Sequence, residues 1–215
     1  MREPVCISLF HDVLCALCQV AWERVRRLED EFGDLVEVEL RPFPVRTDEV
    51  APSERDVRRQ VRLVQKASHE PEGALLQSTL WCGRDLPLSS LPPLLAAEAA
   101  REQGRSAQRT LLSRLRDAAF QGGINVARRD VIFELAATCA LDMDRFAEAF
   151  DSPGTLRAVQ DSRRQALVCG VRAVPALLIG GEWLVTGVRE LHEYREVLLH
   201  WLQRSGQGAT ERLLH

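Results

Sequence analysis

The sequence predicts an α/β fold in which a large all-helical block interrupts a small mixed core. Three observations predict it. An apolar, strand-like run meets an amphipathic helix at Cys15-Ala16-Leu17-Cys18. Residues 51–164 then become arginine- and alanine-rich, with helical periodicity and almost no strand signal. Strand patterning returns afterwards as a hairpin followed by a last helix. The order is β-α-β, a helical block, then β-β-α.

The first strand, Val5–Phe10, alternates side chains and carries β-branched residues. The first helix runs from about Cys15 to Phe32, because Val25, Leu28 and Phe32 share one helical face. Gly33-Asp34 breaks that pattern. Leu35–Phe43 is the second strand, with Val36, Val38 and Leu40 set against Glu37, Glu39 and Arg41, and Pro42 and Pro44 end it.

Within the helical block, Pro92-Pro93 suit the first turn of a helix that continues through Ala100. Leu111, Leu112, Leu115 and Ala119 mark another. Asp130 is expected to cap a helix carrying Ile132, Leu135 and Ala136, and Met143, Phe146 and Phe150 mark the next. Trp81-Cys82-Gly83-Arg84 reads as a loop, with Trp81 lining a groove or anchoring the loop. The hairpin is Ala176–Ile179, a Gly180-Gly181 turn, and Glu182–Val185. The final helix spans about Glu190 to Leu202. Residues 1–50 and 165–205 are therefore expected to form one discontinuous domain and 51–164 an inserted one, with 206–215 a frayed tail.

Composition excludes several classes. A net charge of −3 gives no reason to expect nucleic acid or an anionic membrane as partner. The apolar run near the N-terminus is too short for a secretory signal, and no segment approaches about 18 apolar residues. The expectation is a cytoplasmic protein, and there a C-x-x-C pair is catalytic more often than structural.

The Cys15/Cys18 pair carries the chemistry. A helix N-terminus has unpaired N–H groups and a partial positive charge, which makes a thiol placed there more acidic. A second thiol one turn on can close a small disulfide ring. Structural zinc needs four ligands, and the remaining cysteines, Cys6, Cys82, Cys139 and Cys169, are isolated in sequence. A reversible dithiol/disulfide site is favoured over zinc and over two buried thiols. No metal or cofactor is expected. Cys6 and Cys139 are expected in the core and Cys169 in helix-end packing, which leaves Cys82 as the best candidate for a second reactive thiol.

Three motifs carry a family resemblance. Asp12-Val13-Leu14-Cys15-Ala16-Leu17-Cys18 is similar to a D-x-x-C-P-x-C segment, Arg41-Pro42-Phe43 to R-P-F, and Gly170-Val171-Arg172-Ala173-Val174-Pro175 to G-V-x-G-V-P. Together they resemble the DsbA-like branch of the thioredoxin-fold oxidoreductases, and its FrnE-like cytoplasmic members in particular, over about residues 5–204. The resemblance implies a thioredoxin-like core with a helical insertion and a cis Val174–Pro175 bond facing the cysteines. Backbone exposed beside that bond would hold substrate. Cys15, nearest the helix start, is expected to be the nucleophile, and Cys18 the buried resolving thiol.

The chain also departs from the pattern. Ala16 replaces the usual proline, no charged residue lies between the cysteines, and Leu9 stands six residues before Cys15, where some relatives carry a buried acid. A less oxidising pair than that of DsbA itself is expected. His11 and Asp12 are assigned to loop solvation and helix capping, with tuning of Cys15 as their second role.

The expected function is thiol–disulfide exchange with protein or small-molecule thiols, glutathione among them. The alternatives are a glutathione-dependent isomerase or transferase of kappa-class type, against which the second cysteine argues, and a soft-metal-binding protein using both thiols.

Overall fold

The computed structural model describes residues 3–205. The expected tail, 206–215, lies outside the described residues. The sheet has the order β2-β1-β3-β4, formed by β1 (Val5–His11), β2 (Val36–Pro42), β3 (Ala176–Ile179) and β4 (Trp183–Thr186). Strand β2 runs parallel to β1, from Val5 opposite Val36 to His11 opposite Pro42. Parallel pairing needs a crossover, and helix α1 (Ala16–Phe32) supplies it. Strand β3 is antiparallel to both β1 and β4. Gly180 and Gly181, at φ +58° and +75°, make the tight turn between β3 and β4.

Seven helices lie between β2 and β3 among the described residues: α2 (Glu54–Ser68), α3 (Thr79–Cys82), α4 (Leu91–Arg101), α5 (Arg105–Phe120), α6 (Arg129–Ala137), α7 (Met143–Asp151) and α8 (Pro153–Val168). Helix α9 (Leu191–Arg204) closes the described chain. This is a thioredoxin-like α/β fold with a helical insertion.

The two faces of the sheet are covered differently. Ile7 and Leu9 point into a large apolar cluster with Val25 and Leu28 of α1 and Leu198 of α9, and the same cluster continues through Leu111, Leu112 and Leu115 of α5. Insertion and sheet therefore share one core. On the opposite face Phe10, Phe43, Ala176 and Leu178 pack with Ala166 of α8.

Several expectations need correction. Cys6 is not a core residue: period-two alternation puts it with Ser8 on the less covered face, half-buried, while Ile7 and Leu9 take the core. Trp81 and Cys82 are helical, in the single turn of α3, with Trp81 buried in the main core. Asp130 sits in the first turn of α6, whose N-cap is Arg128; Asp130 instead pairs with the Arg128 guanidinium.

Candidate active site

The strand–helix junction sets the geometry. Residue His11 ends β1, and the Cys15 N–H reaches back to the Asp12 carbonyl at 3.3 Å. Cys15 is the N-cap of α1, extended at φ −98°, ψ 105°, and its side chain makes no capping bond. The thiol is therefore left at the helix start, where no acidic residue in the first turn offsets the positive end of the dipole.

Cys15 is half-buried, whereas Cys18, one turn in, is fully buried. Both thiols are free, one helical turn apart, with the Cys18 N–H donating to the Cys15 carbonyl at 2.9 Å. Burial, reinforced by the hydrogen bond and charge of Cys15, pushes the Cys18 thiol well above its ordinary value of 9.0. Cys18 is thus held protonated while its neighbour meets solvent.

The proline loop closes the site from the other half of the chain. The Val174–Pro175 bond is cis, and Cys15 Sγ lies 3.8 Å from the Val174 carbonyl oxygen, positioned to donate to it. The structure thus brings all four sequence-predicted site residues, Cys15, Cys18, Val174 and Pro175, to one end of the sheet.

His11 and Asp12 are not solvated loop residues, being only 1% exposed. Asp12 Oδ1 accepts from Leu14 N–H at 2.8 Å and Oδ2 from Val45 N–H at 2.7 Å. Burial raises the Asp12 carboxyl above its usual value despite these bonds. Burial and the charge of Arg116 push His11 well below 6.5, so its imidazole is neutral. Arg116 Nη2 lies 3.4 Å from His11 Nδ1, and because a guanidinium only donates, the imidazole proton sits on Nε2. Arg116 is the residue that sequence reasoning missed. Its signal was present: it stands four residues after Leu112 and three before Ala119, on the apolar face of α5.

A cavity of about 360 Å³ opens beside Cys15, between the proline loop, α2 and α8. Trp81 and Phe43 supply apolar wall, and Arg46, Arg59, Arg163 and Arg172 line it as well. None of these arginines has a carboxylate partner within 4.0 Å among the described residues. The one acid in the wall, Asp12, already accepts two backbone bonds. The space beside the thiol is therefore cationic. A second polar cavity of about 170 Å³, between β2 and α4, α5 and α8, contains neither cysteine.

Of the other cysteines, Cys82 and Cys169 are exposed and end α3 and α8 respectively. Cys139 is half-buried, its thiol donating to the Leu135 carbonyl at 3.3 Å. Among the described residues no three His, Cys, Asp or Glu side chains converge as a metal cage would require. No described helix is long and apolar enough to cross a membrane.

A β1–α1 junction carrying C-x-x-C, faced by a cis-proline loop and covered by inserted helices, defines the class of DsbA-like oxidoreductase folds. The chain belongs to the DSBA-like thioredoxin domain family, whose sequence profile matches residues 6–199. It is 26% identical over 183 residues to the ClpXP adapter protein SpxH of Bacillus subtilis, a match covering 82% of this chain and 58% of that protein's length. Among solved structures it resembles a Nitrosomonas europaea protein described as a disulfide isomerase, with 17% identity, a TM-score of 0.78, and coverage of 94% of this chain and 99% of that one. It also resembles the cytosolic disulfide reductase DsbM of Pseudomonas aeruginosa, solved with glutathione, with 23% identity, a TM-score of 0.70, and coverage of 92% and 99%.

Proposed function

We propose that the protein is a thiol–disulfide oxidoreductase in which Cys15 is the nucleophile, Cys18 the resolving thiol, and the Val174–Pro175 backbone the substrate-binding edge. One observation carries the reading: at the start of α1 a half-buried thiol and a fully buried one stand one turn apart, the half-buried Cys15 facing the Val174 carbonyl. Attack by the Cys15 thiolate on a substrate disulfide forms a mixed disulfide and releases one substrate sulfur as thiolate. Cys18, giving up its proton, then attacks Cys15 Sγ and expels the second substrate sulfur. Two electrons have passed to the substrate, and Cys15–Cys18 is a disulfide. The reverse sequence oxidises a dithiol.

The four arginines beside Cys15 favour a small anionic partner such as glutathione, whose carboxylates they would pair. The compartment that fits such an exchange is the cytoplasm.

The test is the redox equilibrium of the pair in glutathione buffers, read by alkylation and mass spectrometry on metal-free protein. A reversible two-electron transition, abolished in Cys15→Ser and in Cys18→Ser, is expected. Thiols that never pair would overturn the proposal. Glutathione binding without pairing would point instead to a glutathione-dependent isomerase or transferase.

A further inference from the structure

Arg24 and Arg116 are the two largest fully buried side chains among the described residues, and their surroundings differ. Arg24 is held by Glu70 and Glu72, with Glu190 at 3.6 Å. Arg116 makes no ion pair among the described residues; its Nη2 meets only His11, and its Nε and Nη1 have no hydrogen-bond partner. A guanidinium stays protonated in proteins, and an uncompensated buried charge is costly. Such a charge needs an anion close by.

The His11 contact sets Arg116 against the β1–α1 junction, where Asp12 follows directly and its carbonyl holds the Cys15 N–H at 3.3 Å. The acidic groups around it are Cys18, Cys15, Glu23 of α1 and Asp12. Asp12 is already engaged by two backbone N–H groups. The cysteine pair differs from both carboxylates in one respect: it can carry a negative charge, on Cys15, only when it is reduced. Ala16 and Leu17, between the cysteines, offer no charge of their own.

We propose that Arg116, delivered by the inserted helix α5, is a positioning residue for the redox chemistry, a fixed cation at the β1–α1 junction that favours the reduced pair, a Cys15 thiolate beside a protonated Cys18, over their disulfide. The inference rests on the redox reading of that pair. Two glutathione thiols reduce the Cys15–Cys18 disulfide to a Cys15 thiolate and a Cys18 thiol, with release of one proton and glutathione disulfide. Arg116 faces a neutral S–S bond before this step and an anion after it, so its charge pulls the equilibrium toward the reduced protein. The insertion thereby supplies the cation that the C-x-x-C segment lacks.

The other charged or titratable groups around the site are Asp12 and His11 at the β1–α1 junction, Glu23 on α1, Asp117 on α5, Tyr194 on α9, and the four cavity arginines. All are retained in an Arg116 variant.

The experiment compares wild type, Arg116→Met and Arg116→Lys as full chains in glutathione buffers, with circular dichroism to establish folding. Arg116→Met is expected to shift the equilibrium about tenfold toward the disulfide, equivalent to about 30 mV for this two-electron couple. The pH profile of iodoacetamide alkylation at Cys15 should move to higher pH in the same variant. Arg116→Lys, which keeps the charge, should restore both readouts. If Arg116→Met does not fold, Arg116→Gln against Arg116→Lys makes the same comparison. A folded, uncharged variant with the wild-type equilibrium and pH profile would overturn the inference alone. A wild type that forms no Cys15–Cys18 disulfide would overturn the redox reading, and this inference with it.

Discussion

The Asp12 carboxylate receives the Val45 backbone N–H at 2.7 Å, and so ties the chain beyond β2 to the junction that carries Cys15. Its other oxygen holds Leu14 N–H at 2.8 Å. Asp12→Ala leaves two backbone donors unpaired and should cost about 2–4 kcal/mol. Asp12→Asn, which keeps an acceptor oxygen, should cost less. Urea unfolding of both variants checks the difference.

A second buried anchor is Arg24 with Glu72, whose side chains are 2% and 5% exposed. Arg24→Met leaves the Glu72 carboxylate with only Arg27, whose Nη1 lies 3.3 Å from Oε1. It should cost about 2–3 kcal/mol, less than the roughly 3–5 kcal/mol of a fully unpaired buried charge. Burial pushes the Glu72 carboxyl up, but the Arg24 hydrogen bond and charge outweigh it and hold the group below 4.5. A carboxyl lowered on folding stabilises the protein above its unfolded value, and that contribution is lost as pH falls through the folded one. The stability advantage of wild type over Glu72→Gln should therefore be full at neutral pH and shrink below pH 4.5. Thermal unfolding of both proteins across that range reads it directly.

The two glycines of the hairpin turn should respond unequally to alanine. A Cβ at Gly180 would lie 2.1 Å from Trp201 Cζ2, at φ +58°, whereas at Gly181 it would meet nothing within 4 Å. Gly181→Ala should cost only its backbone strain, about 1–2 kcal/mol. Gly180→Ala must also displace the indole, costing about 1–3 kcal/mol more. Tryptophan emission should change in Gly180→Ala alone.

Tyr194 is the only tyrosine, so phenolate absorbance reports it without ambiguity. Burial pushes its hydroxyl up to about 12. The group donates to the Gly187 carbonyl at 3.0 Å and accepts from Arg189 N–H at 3.2 Å. Spectrophotometric titration of the native protein should show no phenolate near pH 10, and unfolded protein should show it there. Tyr194→Phe should cost about 1 kcal/mol in chemical unfolding.

Local rules made much of this molecule legible. Alternation in β1 and β2, the glycine pair of the hairpin and the apolar face of α1 are signals within a few residues, and the elements fall where those signals stand. The side chains behind the thiols were not legible in that way. His11 and Asp12 read as solvated because polar residues after a strand usually are. Here Arg116 of α5 meets His11, a contact spanning 105 residues of chain, and Val45 N–H holds Asp12 across 33; no local pattern encodes either. Cys6 failed differently: alternation marks two faces but does not say which one the helices cover.

The contact between Cys15 and Val174 joins positions 159 residues apart. At ribosomal rates of about 5–20 residues per second, the two cysteines precede the loop that faces them by roughly 10–30 s. During that interval the nascent chain carries a bare dithiol, open to any disulfide it meets. Only when residues 174 and 175 arrive does the Cys15 thiol acquire the carbonyl that faces it.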